Sequence, residues 1–193
     1  MYLSEPSPSP AADAMYAADR EAMGYVMTGS HLWAHGAALH DGLFELMGQA
    51  TATAGLSVRD RGILVTACAA TLGDSYCSMA WGVKLAGVAG ADLAADVLRG
   101  VDDGLDEREC ALATWARQVA GDPNRTGPTD VDALRAVGYD DAQILAITAY
   151  VALRIAFSTV NDALGVQPEP ELSALAPAAV RAAVTYGRPP IAG

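Results

Sequence analysis

Basic residues are scarce in this chain of 193 residues: 12 lysines and arginines face 23 aspartates and glutamates, leaving a formal net charge of −11. A nucleic-acid surface needs a cationic stripe to displace condensed counterions. No cluster of Lys or Arg supplies one, so DNA and RNA are excluded as partners. The same shortage excludes an anionic membrane surface. Aromatic residues make up only 6% of the chain, and Val, Ile and aromatics seldom alternate with polar residues over five or more positions, so strands are not expected. Three cysteines, Cys68, Cys77 and Cys110, are odd in number and uneven in spacing, which argues against a disulfide framework. No apolar run is long enough for a bilayer span: the longest, Ile144 to Phe157, is broken by Arg154. Met1 to Pro10 has neither a cationic start nor an apolar stretch, so no signal peptide is expected and the expected location is cytoplasmic. The chain also lacks a Gly-x-Ser-x-Gly elbow, a Walker loop, a Gly-x-Gly-x-x-Gly turn after a strand and a His-Glu-x-x-His pair.

What the chain has is helix-forming sequence. It is 52% hydrophobic, much of it alanine, and Ala, Leu, Arg, Glu and Gln recur at helical spacing. Ser57 with Asp60, Asp106 with Glu109 and Asp140 with Gln143 read as helix starts, the last two as capping boxes, and Gly165 reads as a helix end. About nine helices are expected, over 12–24, 30–53, 58–72, 74–87, 91–99, 106–120, 129–137, 141–164 and 173–185. The fold class is all-α in one domain. Alanine-rich helices bury little area per residue, so a second copy of the chain is the expected means of completing the core.

The segment Gly73 to Gly82 (GDSYCSMAWG) is the richest in chemistry. It follows Gly55-Leu56-Ser57 and the helix Arg59-Asp60-Arg61-Gly62-Ile63-Leu64-Val65. Upstream lie Gly24-Tyr25-Val26 and Ala34-His35. Downstream come Leu105-Asp106-Glu107-Arg108-Glu109, Asp122-Pro123, Val131 to Gly138 (VDALRAVG), Ile144-Leu145 and Asp162-Ala163-Leu164-Gly165-Val166. In order and spacing these segments resemble the carboxymuconolactone decarboxylase / alkylhydroperoxidase D superfamily, in particular its peroxidase-related branch. The resemblance runs from Tyr16 to Glu171. It implies packed helical hairpins over 16–171, a Pro-containing extension over 1–15, and a tail with a short helix over 172–193. It also implies trimers or hexamers and a small-molecule substrate, a hydroperoxide or a small metabolite.

Redox members of that family carry a Cys-x-x-Cys pair with a His and a Glu: one thiol attacks the peroxide, the other resolves the sulfenic acid, and Glu and His relay protons. Here only Cys77 matches, at the position of the attacking thiol. Asp74 stands where the resolving Cys belongs, Trp81 where the His belongs and Gly62 where the Glu belongs, so the dithiol cycle cannot run. Ser158 and Thr159 stand where peroxidase-related relatives tend to carry Asn-Arg.

The residues themselves allow both structural and chemical roles. Asp74 reads as an N-cap that places Cys77 at the third helical position. The helix end favours a thiolate there, whereas the Asp74 carboxylate and desolvation by Trp81 oppose it. An ordinary or raised thiol pKa is expected. Cys77 is otherwise a small buried hydrophobe, and Asp74 otherwise a general base in an apolar pocket lined by Tyr76 and Trp81. Cys68 would reach Cys77 only if its helix folds back, and Cys110 reads as structural. His31, His35 and His40 have no further ligand at helical spacing, so no metal is expected, and no cofactor. Arg154, inside the most apolar helix, needs an acid on a neighbouring helix or across a subunit contact, or else binds a substrate carboxylate.

The candidate catalytic residues are therefore Cys77 and Asp74, with Tyr76, Trp81, Arg154 and Ser158 as pocket candidates. Three functions fit: peroxide reduction through Cys77 as a one-cysteine enzyme; a redox-silent protein that binds a small metabolite or moves protons with Asp74; and a structural or regulatory subunit.

Overall fold

Helix caps set most of the architecture. In the computed structural model, which describes residues 1–192, all the regular structure is helical. The α-helices are α1 (Pro10–Met23), α2 (Thr28–Trp33), α3 (Ala37–Ala54), α4 (Val58–Leu72), α5 (Ser75–Ala89), α6 (Ala91–Arg99), α7 (Glu107–Gly121), α8 (Pro128–Ala136), α9 (Asp141–Ala163), α10 (Pro170–Leu175) and α11 (Ala178–Ala183). Capping boxes form at Ser57/Asp60, Asp106/Glu109 and Asp140/Gln143, where each side chain satisfies a backbone N–H that the first turn would otherwise leave unpaired.

Two of the expected nine helices prove to be pairs. The segment expected as one helix over 30–53 breaks at a 3₁₀ turn, and Gly36 takes a non-helical conformation (φ −150°, ψ 56°) between α2 and α3. The tail helix expected over 173–185 breaks because Pro177 holds Ala176 extended (ψ 131°), which separates α10 from α11. The first helix starts earlier than expected: Pro10 occupies its first turn and the Ser9 hydroxyl accepts from the Ala12 N–H.

The core is built around α4, which packs against α5, α6, α7 and α9. From Gly62 to Ala69 every residue of α4 is buried. Two ion pairs fasten its start to α7. Arg108 forks onto Asp60 at 2.8 and 3.1 Å, and Arg59 meets Glu109 in a second fork. Burial pushes the Asp60 carboxyl up, but Arg108 and the Ser57 cap outweigh it and hold it below the ordinary carboxylate value.

α9 has the length and mean hydropathy (1.6) of a membrane span, yet it is a core helix here: Ile144, Ile147, Tyr150, Val151 and Phe157 are buried against α3, α4 and α7. Both chain ends lie on the helical body. The Tyr2 N–H donates to the Leu164 carbonyl at 2.9 Å, and the Ser75 hydroxyl donates to the Arg188 carbonyl at 2.7 Å.

Candidate functional site

The site begins at the turn between α4 and α5. Gly73 ends α4 in the left-handed region (φ +74°), a conformation that a side chain would strain. That turn delivers Asp74 as the N-cap of α5, and its Oδ1 accepts the Cys77 N–H at 2.9 Å. Cys77 thus sits at the third helical position, as its spacing from Asp74 requires. Along α5, Tyr76, Cys77, Ala80, Trp81 and Lys84 recur at helical spacing and line one side of a cavity of about 510 Å³. α9 contributes Arg154 and Phe157, and α2 and α3 contribute Trp33, His40 and Phe44. α1 presents Ala11, Ala14, Met15 and Ala18, short residues for the most part, which leave the space open.

The composition of the wall is unusual for this chain. Both of its phenylalanines, two of its three tryptophans and its one lysine lie there. Trp33 stacks on Phe157 with ring centroids 5.3 Å apart and nearly coplanar rings, while Phe44 meets Phe157 edge-on at 5.5 Å. The Trp33 indole N–H is fixed by the Asn161 side-chain oxygen at 2.9 Å.

Of the charged residues on the wall, Asp19, Asp41, Lys84 and Arg154, only Arg154 is buried. It is 4% exposed and forms no ion pair among the described residues, so the acid expected on a neighbouring helix is not there. Its terminal nitrogens instead face two sulfurs, Cys77 Sγ at 3.7 Å and Met47 Sδ at 3.9 Å, and Nε has no hydrogen-bond partner in the protein. The Trp81 and Phe157 rings flank the guanidinium at 5.2 and 5.1 Å, which offsets part of the desolvation cost. Lys84 lies over the Trp81 ring at 4.7 Å. Desolvation and the Arg154 charge hold its ammonium below the ordinary lysine value.

Asp74 and Ser158 are not among the cavity-lining residues. Asp74 is fully buried beneath Cys77, with Oδ2 unpartnered, so a general-base role inside the pocket does not fit its position. Ser158 is likewise buried beside the thiol rather than at the wall. Burial and the Asp74 carboxylate push the Cys77 thiol well above the ordinary value, and Arg154 and Ser158 only partly offset them. Burial pushes the Cys68 thiol up to about 12 as well, and Cys68 and Cys77 are both free thiols.

These shifts carry a sign. A thiol whose pKa is raised by folding stays protonated in the native state while the unfolded chain ionises near its ordinary value. Its contribution to stability is therefore complete below about pH 8.5 and is lost as pH rises beyond that. Denaturation midpoints are expected to fall between about pH 8.5 and 11, and Cys77→Ala should flatten that fall. In Asp74→Asn the cap is retained and the negative charge removed, so alkylation of Cys77 should begin at lower pH than in the native protein. Peptide mass spectrometry after timed alkylation reads this directly.

Gly62, where the sequence resemblance would expect a glutamate, faces α5 at close range. A Cβ there would lie 3.0 Å from Leu85 Cδ1 and 3.2 Å from Leu85 Cβ. Of the histidines only His40 lines the cavity: His35 Nε2 lies 2.9 Å from the Ser4 carbonyl, and His31 faces Glu5. Sequence reasoning missed Lys84, Phe157, Trp33 and Phe44 as wall residues. The i, i+4 pair His40 and Phe44 and the i, i+3 pair Arg154 and Phe157 were the signals that could have found them.

An all-helical body with one buried thiol and one unpaired guanidinium in an aromatic cavity is thus the class of protein. No protein-family model and no curated protein matches the sequence. Solved structures do match. An uncharacterized peroxidase-related protein from Ralstonia eutropha JMP134, described as an alkylhydroperoxidase AhpD core, is 21% identical, with 89% of this chain and 96% of that chain covered at a TM-score of 0.71. An uncharacterized peroxidase-related protein from Silicibacter sp. TM1040 is 18% identical, with coverages of 89% and 93% and a TM-score of 0.74. The debrominase Bmp8, as a cysteine-to-alanine variant in complex with 2,3,4-tribromopyrrole, is 18% identical, with coverages of 94% and 95% and a TM-score of 0.69. The chain shares the all-helical fold of these structures, that of the alkylhydroperoxidase AhpD core.

Proposed function

We propose that the cavity binds a small, planar organic anion, an aromatic carboxylate being the simplest case, with its negative group on Arg154. The observation that carries this reading is the guanidinium itself: buried, without an acid partner, and open to an aromatic-walled space. An unpaired buried charge costs several kcal/mol, more than the roughly 1 kcal/mol of a helix cap or a core methyl group, and a bidentate anion offsets that cost. Lys84 adds a second positive charge on the α5 wall, and the carboxylates that line the cavity, Asp19 on α1 and Asp41 on α3, form no ion pair with Arg154. The flat rings of Trp33 and Phe157 suit a flat ligand, and the tribromopyrrole held by the debrominase of the same fold is likewise a small planar ring.

Trp33 and Trp81 line the cavity and report on it. Benzoate is expected to change the intrinsic fluorescence saturably, and the neutral isostere benzamide to bind at least about 30-fold more weakly. Equal affinity for the two would overturn the reading.

A second reading rests on the Arg154–Cys77 contact. In a one-cysteine peroxidase the Cys77 thiolate would attack a hydroperoxide oxygen, the O–O bond would break, the alcohol would leave, and an external thiol would reduce the resulting sulfenic acid. The raised thiol pKa and the absence of a proton relay at positions 62 and 81 weigh against it. Cys77→Ser must abolish any peroxide turnover for this reading to stand, and turnover retained in that variant would end it.

A further inference from the structure

Tyr76, another lining residue of the same cavity, is tied to a buried carboxylate. The Tyr76 ring lines the wall, and its hydroxyl accepts the Gly29 N–H at 3.3 Å and donates to Glu169 Oε1 at 3.4 Å. Gly29 permits the approach, since a Cβ there would sit 2.9 Å from the Tyr76 oxygen. Glu169 is 4% exposed and lies in the segment before α10. Its Oε1 also accepts the Thr28 N–H, while Oε2 has no hydrogen-bond partner in the protein. A buried carboxylate with half its capacity unused is expensive, and it is not part of any ion pair among the described residues. What it does here is commit the Tyr76 proton.

The consequence is directional. A tyrosine hydroxyl has one proton and two lone pairs. With the proton given to Glu169 and one lone pair taken by Gly29, Tyr76 has only an acceptor left to offer the cavity. We propose that this acceptor reads a ring-borne O–H or N–H donor on the ligand, so that the preferred class is a hydroxy- or N–H-bearing aromatic carboxylate. The proposal rests on the Arg154 reading for the anionic end of the ligand. Glu169 acts as a positioning residue, through Tyr76. A site that hydrogen-bonds a ligand donor discriminates strongly against analogues lacking it, because the buried partner is then left unpaired.

The probes are benzoate and the 3- and 4-isomers of hydroxybenzoate and methoxybenzoate, titrated by calorimetry into the full-length protein. At least one hydroxybenzoate isomer is expected to bind about tenfold more tightly than its methoxy counterpart. In Tyr76→Phe that ratio should fall close to 1. In Glu169→Gln the amide oxygen still accepts from Tyr76, so most of the discrimination should survive. In Glu169→Met the Tyr76 proton is released to the cavity, and the preference should shift towards the methoxy acceptor. A purely structural role for Glu169 would weaken all ligands alike and leave the ratio in place. No hydroxyl preference in the native protein, or one that persists unchanged in Tyr76→Phe, overturns this inference alone. Benzoate that does not bind, or binds as well to Arg154→Met, overturns the Arg154 reading instead.

Discussion

Arg154→Met is expected to stabilise the protein by about 1–3 kcal/mol while reducing benzoate affinity by about 100-fold. Opposite signs in stability and binding are the mark of a charge kept for a ligand. The side chain is buried among Met47, Cys77, Trp81 and Phe157, and nothing negative lies within ion-pairing distance of its guanidinium. Methionine has a similar volume, fills the same space and carries no charge to desolvate, and replacing buried charges by apolar groups of like size commonly stabilises. The flanking rings already offset some of the cost, which places the gain at the low end of that range. Urea denaturation with and without benzoate measures both effects. A loss of stability of about 3 kcal/mol instead would show that Arg154 holds the fold together, as a paired buried arginine does.

Gly62→Glu is expected to cost about 4 kcal/mol or more and to leave little folded protein. The cost has two parts. The new Cβ would come within 3.2 Å of Leu85 Cβ and closer still to Cδ1, at a point where α4 and α5 pack without a gap. The carboxylate would then lie in the fully buried stretch of α4 among Ile63, Leu64 and Leu85, away from the Arg108 and Glu109 pairs at the helix start. Gly62→Ala isolates the first part and should cost about 1 kcal/mol, since Leu85 must give by only a few tenths of an ångström. Near-native stability of Gly62→Glu would mean that the α4–α5 contact is looser than described. Leu85 thus fills the room that a side chain at position 62 would need.

The parts of the structure that were legible in the sequence are the local ones. Capping boxes span three residues, and the pairs at Ser57, Asp106 and Asp140 placed the starts of α4, α7 and α9. The Asp74 cap is equally local, so the position of Cys77 on α5 followed from spacing alone. The break at Gly36 was not legible, because His35-Gly36-Ala37 carries no proline and its neighbours are good helix formers. Arg154 was legible as an anomaly but not as a free cation. Whether an acid meets it depends on which faces of α3, α5 and α9 come together, and that is long-range information. Glu169 was hidden for the same reason: Gln167 to Pro170 begins a Pro-containing tail, and only the fold brings it to Tyr76 and Thr28.

The central claim concerns a single nitrogen. Arg154 Nε is buried and has no partner in the protein, so its N–H gives a side-chain resonance in ¹⁵N-labelled protein that Arg154→Met identifies by its disappearance. Titration with benzoate is predicted to move that resonance progressively to saturation, at a concentration matching the fluorescence change, while benzamide leaves it in place. A resonance that stays fixed through a benzoate titration, whether or not benzoate binds elsewhere, would contradict the account.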